Sequence, residues 1–128
     1  MIYQMIQFMD SRAKDVTDVS TISRRANYVR EFMHLVHQNF RSQRGVSFYA
    51  SKLFISPKYL SQIIKESTGR SAAEWIDEYV ILEAKNLLRF SGKNIQQVAY
   101  ELNFPNQSSF GKYFKNLTGR SPTSFQRS

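Results

Sequence analysis

The chain has 128 residues, a formal charge of +8 and no cysteine. That allows one domain or two small subdomains with a modest core and excludes disulfides, a thiolate nucleophile and a zinc–cysteine site. No apolar run approaches the roughly 20 residues of a membrane span; the start, Met1 to Ile6, lacks the basic stretch and long apolar core of a secretion signal, and the lack of cysteine fits a cytoplasmic location.

Ile2, Met5, Ile6, Met9, Ala13 and Val16 recur at helical spacing, so residues 2–18 are expected to form a helix. Asp18, Ser20 or Thr21 can cap a second helix reaching about Ser42, with Ile22, Val29, Phe32, Met33, Val36 and Phe40 along one side. An N-terminal helical hairpin is the simplest arrangement. The first helix then needs a packing partner: the second helix, a missing domain or another subunit.

Gly45 interrupts the pattern. Residues 46–54 are expected to form a short helix with Val46, Tyr49, Ala50 and Leu53 inward. Ser56-Pro57 starts another, Ser as cap and Pro in the first helical position. Leu60, Ile63 and Ile64 give it a buried side, Lys58, Ser61, Gln62 and Lys65 an outward one, and Gly69 stops it. Ser71 with Glu74 forms a capping box for a helix over residues 71–90, whose Trp75, Ile76, Tyr79, Val80, Leu87 and Leu88 form one stripe. Its 19 or so residues would span roughly 28 Å.

After a turn at Ser91–Asn94, Ile95, Val98, Ala99 and Leu102 define a short helix, and Asn103 can take the left-handed conformation needed to leave it. Asn106 caps the next helix, with Phe110, Tyr113, Phe114 and Leu117 as core stripe and Gln107, Ser108, Gly111, Lys112 and Lys115 outward. Gly119 ends it, and Ser121-Pro122 opens a last short helix containing Phe125.

The chain repeats itself. Thr-Gly-Arg-Ser ends at Ser71 and again at Ser121, and a helix–turn–helix precedes each copy, about 46–69 and 94–119. Alanines (Ala50, Ala99) stand in each first helix where the second must approach closely. From Ala50 to Leu60 is ten residues and from Ala99 to Phe110 eleven, so the second turn is one residue longer. The 71–90 helix reads as a strut holding two copies of one unit.

Charge follows the repeats: residues 41–73 carry net +5 and 91–128 net +4, whereas 74–90 carry −2, with Asp77, Glu78 and Glu83 reading as a solvated face. Two basic regions attract polyanions, or serve solubility. In a helix-turn-helix the second helix enters the DNA major groove and reads base edges from its N-terminal half. Gln62 and Gln107 suit an adenine edge, and Lys58 and Lys112 suit guanine O6/N7; the N–H groups at Ser56 and Asn106 can hold phosphates. Gly111 in a helix interior points either to close approach of DNA or to a tolerated defect.

Residues 45–127 resemble the C-terminal DNA-binding domain of the AraC/XylS family of bacterial transcription regulators. The resemblance rests on Ile95-Gln-Gln-Val-Ala99, Leu102-Asn-Phe104, Gln107-Ser-Ser-Phe110, Tyr113-Phe-Lys115, Thr118-Gly119 and Ser121-Pro122, with a second match over Ala50, Leu53, Ser56–Leu60, Thr68-Gly69 and Ser71. It implies an all-α fold of seven helices: two helix-turn-helix subdomains joined by a linker helix, with recognition helices entering successive major grooves on one DNA face. It also implies control of transcription, usually activation through RNA polymerase. By position it places base contacts on Lys58, Ser61, Gln62, Gln107, Ser108, Gly111 and Lys112, and backbone contacts on Ser56, Lys65, Asn106, Ser109 and Lys115. The family has Gly where this chain has Asn103, with Phe54 at the matching place in the first unit, and Arg where it has Val80; Ser61 and Gly111 are short, which favours water-mediated readout. Residues 1–44 resemble the tail of a sensory domain plus its linker, which implies a piece of a longer regulator and a homodimer contact through the N-terminal helices; the alternative is a self-contained cap on the DNA-binding domain.

No enzyme is expected, and no cofactor. His34 and His37 are spaced as a metal pair, but no third ligand converges on them. The alternative function is a helical protein-interaction module that kept the fold and lost DNA binding; it calls for acidic or apolar outer faces, whereas these are basic and rich in Gln and Ser.

Overall fold

The computed structural model describes residues 12–128, with side chains from residue 21 onward. Among the described residues there are seven helices and no strand: α1 (Arg12–Asn39), α2 (Val46–Lys52), α3 (Pro57–Thr68), α4 (Ala72–Phe90), α5 (Ile95–Glu101), α6 (Gln107–Thr118) and α7 (Pro122–Arg127).

The expected hairpin is replaced by one continuous α1. The backbone stays helical through Asp18–Thr21, because no Gly or Pro between residues 12 and 39 ends it and Ser, Thr and Asp each cost a helix interior less than about 1 kcal/mol. Residues 2–11 of the expected first helix lie outside the described residues. The C-terminal half of α1 is core: Phe32 and Val36 are fully buried, and Phe32 meets Tyr49 of α2 edge to face at 5.7 Å. α1 also packs on α3 and α4. Ile22, expected on the packing side, is 65% exposed because it lies beyond the end of this core.

α4 forms as its sequence dictates. The Ser71 hydroxyl accepts from the Glu74 N–H at 3.1 Å, and the Glu74 carboxylate accepts from the Ser71 N–H at 2.8 Å. That backbone bond holds the Glu74 carboxyl below its ordinary value. Ala72, Ile76, Val80, Ala84 and Leu88 recur every fourth residue and are all buried. Val80 is part of this apolar seam.

Two units hang on α4, built alike and filled differently. α3 and α6 match residue for residue at an offset of fifty. Leu60, Ile63 and Ile64 of the first stand where Phe110, Tyr113 and Phe114 stand in the second. The smaller aliphatic set is completed by α1, which supplies Phe32 and Val36. The second unit fills its core with a run of rings: Phe104 on Phe110 (5.2 Å), Phe110 on Phe114 (5.8 Å) and Phe114 on Phe125 of α7 (5.6 Å). Leu117 departs from the expected core stripe; it is 46% exposed, at the rim of a groove shared with Ile81 and Leu82 of α4.

The turns are equivalent too. Phe54 (φ 59°) and Asn103 (φ 61°) both take the left-handed conformation, and the next residue closes each turn: Ile55 N–H donates to Ala50 O (3.1 Å), Phe104 N–H to Ala99 O (2.9 Å). Ala50 and Ala99 are buried where the second helix crosses. The extra residue of the second turn is Pro105, between Phe104 and the cap Asn106.

Two measurements check this reading. Phe32→Ala should lower the unfolding free energy by about 3–5 kcal/mol, as for a fully buried aromatic; a loss near zero in a urea titration would place α1 outside the cooperative unit. Phe54 is 93% exposed, so Phe54→Gly should relieve left-handed strain while giving up little packing. A gain of roughly 1 kcal/mol is expected, seen as a higher urea midpoint at unchanged slope, and a lower midpoint contradicts the strain.

Candidate nucleic-acid interface

The second helix of each unit, α3 or α6, starts on a cap and ends on the same four residues. Ser56 Oγ accepts from the Tyr59 N–H (3.0 Å), and Asn106 Oδ1 from the Ser109 N–H (2.8 Å). Earlier N–H groups of a first turn have no intrahelical acceptor. In α3 the first such position is Pro57, which has no N–H; in α6 it is Gln107, which has one. The N-terminus of α6 is therefore the richer in anion-binding donors.

At the other end, the Thr68 hydroxyl donates to Ile64 O (2.7 Å) and accepts the Arg70 N–H (3.2 Å). Thr118 does the same with Phe114 O (2.8 Å) and the Arg120 N–H (3.2 Å). Gly69 and Gly119 sit at φ 82° and 83°, their N–H groups returned to Lys65 O (2.9 Å) and Lys115 O (2.8 Å). Trp75 and Phe125 occupy equivalent places after the two Thr-Gly-Arg-Ser copies, each under its copy's arginine: Arg70 at 4.9 Å from the ring centroid, Arg120 at 5.9 Å. The repeat thus runs into α4 on one side and makes up α7 on the other.

Of the expected base-contacting residues, Lys58, Gln62, Gln107, Ser108 and Lys112 are exposed, and Ser61 and Gly111 are half-buried. Lys58, Ser61 and Gln62 have Ser108, Gly111 and Lys112 as their equivalents fifty residues on. The two units therefore present different chemistry at the same positions. On α6, Gln107, Ser108, Gly111, Lys112 and Lys115 line one groove of about 550 Å³, closed on the far side by Ser121–Thr123. A Cβ placed on Gly111 would meet no atom within 4 Å, so packing within the protein does not require the glycine.

On α3, Gln62 donates to Glu66 (3.2 Å), which also accepts from Arg25 of α1 (2.5 Å). These two bonds, Arg25 first, hold the Glu66 carboxyl below its ordinary value, and the Gln62 amide lies along its own helix. Of the expected backbone contacts, Ser56, Asn106, Lys65 and Lys115 are exposed and Ser109 is half-buried. Lys65 Nζ donates to Gly69 O at 3.2 Å.

Of the acidic face expected to be solvated, Glu78 is exposed, whereas Asp77 and Glu83 are half-buried against partners. Asp77 accepts from the Tyr113 hydroxyl at 2.6 Å, and burial, then this carboxylate, pushes the phenol well above its ordinary value. Glu78 pairs with Arg70 at 2.8 Å, and Glu83 pairs with Arg41. Trp75 Nε1–H donates to Thr68 Oγ1 at 2.9 Å. Each reading helix is therefore pinned to the strut by one side-chain hydrogen bond, Thr68–Trp75 for α3 and Tyr113–Asp77 for α6. Spacing of charges did not reveal these anchors; the only sequence signal was an aromatic or hydroxyl residue late in each unit.

Among the described residues, no group of three or more His, Cys, Asp or Glu is placed to hold a metal ion, and no helix is long and apolar enough to cross a membrane.

A family of helix-turn-helix domains matches residues 49–128. The arabinose operon regulatory protein of Salmonella typhimurium is 29% identical over 118 residues, covering 92% of this chain. The chain spans only 37% of that protein's length. The C-terminal domain of AraT, a response regulator from Geobacillus stearothermophilus, superposes with a TM-score of 0.72 at 28% identity, over 78% of this chain and 84% of that one. The DNA-binding domain of AdpA, solved in complex with a target DNA, has the same fold, with a TM-score of 0.68 at 20% identity, over 77% of this chain and 89% of that one. With the repeated helix-turn-helix and these relatives in view, the chain belongs to the AraC/XylS family of transcription regulators and carries its helix-turn-helix DNA-binding domain.

Proposed function

We propose that the chain binds duplex DNA sequence-specifically and regulates transcription, with α3 and α6 entering successive major grooves. The observation that supports this most is the duplication itself. One helix–turn–helix is built twice, down to its caps, its left-handed turn residues and its terminal threonine bonds, and each copy leaves a face of Lys, Gln and Ser in solvent.

In this reading Lys58, Ser61 and Gln62 address one groove and Gln107, Ser108, Gly111 and Lys112 the next. Ser56, Lys65, Asn106, Ser109 and Lys115 hold phosphates. Equivalent positions carry different side chains, so the two half-sites differ in sequence. Gly111 leaves room for a base edge or a bridging water. Gln62 turns from Glu66 to the DNA when the groove arrives.

The regulator acts in the cytoplasm, and activation through RNA polymerase follows the family pattern. A homodimer contact through the N-terminal part of α1 is supported by the exposed Ile22. Sedimentation equilibrium is expected to show dimer at micromolar concentration; a monomer throughout contradicts that contact.

DNA binding is tested on a site selected from a random pool. The wild type should lose affinity steeply with salt. Gln107→Ala should relax sequence preference, costing about 1–3 kcal/mol on the matched site and little on scrambled DNA, whereas Lys115→Ala should weaken all sites alike and lower the salt slope by about 1. Equal losses for both variants on both DNAs contradict the assignment, and a wild type with no salt slope contradicts the reading as a whole.

A further inference from the structure

Residues 40–45 join α1 to α2, yet the side chains of Arg41 and Arg44 reach the other unit. The Arg44 guanidinium donates to Leu102 O at 2.7 Å and to Asn103 O at 3.0 Å, two carbonyls just past the end of α5. It also stacks 4.1 Å from the centroid of the Phe104 ring. Asn103 Nδ2–H donates back to Arg41 O at 2.9 Å. Arg41 pairs with Glu101 of α5 at 3.0 Å and with Glu83 of α4, and Lys93 takes the other Glu101 oxygen at 3.1 Å. These bonds converge on the left-handed turn that leads through Phe104-Pro105-Asn106 into α6.

The first unit's turn makes the same internal bonds, Phe54 N–H to Ser51 O (3.2 Å) as Asn103 N–H to Tyr100 O (3.0 Å), but its Phe54 side chain is almost wholly in solvent. The second unit is attached to α4 by Tyr113–Asp77, and by Gln126, whose Nε2 donates to Leu88 O (3.1 Å) and Lys93 O (3.0 Å). Arg44 and Arg41 add an anchor away from α4, on the connection between α1 and α2.

We propose that Arg44, assisted by Arg41, is a positioning residue that clamps the second turn to the α1–α2 connection, stops the second unit from rocking about α4 and thereby fixes the separation of α6 from α3. Its consequence for DNA, a narrow tolerance for the spacing between half-sites, rests on the reading above. The clamp needs the fork of a guanidinium: two carbonyls bound at once under a stacked ring suit Arg and not Lys. Charge alone is therefore separable from geometry.

The chain has no cysteine, so Ser67→Cys and Asn116→Cys, on exposed positions of α3 and α6, take one spin label each. Pulsed dipolar spectroscopy then reads the helix separation without DNA. The wild type should give one narrow distribution, and Arg44→Lys and Arg44→Ala both a clearly broader one at unchanged helix content. On DNA, the selected operator is compared with versions carrying one base pair inserted or removed between half-sites. The wild type should discriminate roughly 10- to 100-fold and both variants about threefold or less, while binding to an isolated second half-site is retained. Unchanged width in both variants overturns the clamp. So does Arg44→Lys matching the wild type in width and spacing, which would assign the residue to charge, or a fall in half-site binding in step with the full site, which would assign it to folding of the unit. If the distribution broadens and the wild type selects no DNA, the clamp stands and the DNA-binding reading fails.

Discussion

The molecule depends on a mismatch between two periods. Ala72, Ile76, Val80, Ala84 and Leu88 bury α4 every fourth residue, while an α-helix turns every 3.6. Each step of four overshoots a full turn by about 40°, so the buried line swings by about 160° from Ala72 to Leu88. Both units pack on this one helix: the first through α3 with the Thr68–Trp75 bond, the second through α5, α6 and α7 with the Tyr113–Asp77 bond. Alanines at 72 and 84 let the neighbours come close.

On that rod the same unit is assembled with different fillings. The first unit uses aliphatic side chains on α3 and borrows Phe32 and Val36 from α1. The second uses aromatics on α6 and is closed by Phe125 of α7. Volume removed at three positions is supplied by an extra helix, consistent with interiors packed to near-crystal density. This ties α1 to the first unit, and the connection that follows it is bonded to the second turn through Arg41 and Arg44.

Much of this was legible in the chain. The fifty-residue repeat, the Ser71–Glu74 box, the 19 residues of α4 and the caps Ser56 and Asn106 follow from local chemistry, and local chemistry is written in order along a sequence. The failures share a cause, since each depends on where an element ends in space. The α1 hairpin was expected because polar residues can cap a helix; nothing local says they must. Leu117 and Ile22 keep helical spacing, but the neighbours that would cover them stop short. Asp77 and Glu83 look solvated until Tyr113 and Arg41 arrive from 36 and 42 positions away. In the interface, the outward face of α6 was legible from helical spacing, whereas the grip of Glu66 on Gln62 requires α1 beside α3.

The central claim is that a rigid strut presents two different reading helices to one face of DNA. Methylation interference at guanine N7 on the selected operator tests it most directly. The account predicts two major-groove tracts of unlike sequence on one face, with centres about 10–10.5 base pairs apart. A single tract, or two tracts on opposite faces of the duplex, would contradict it.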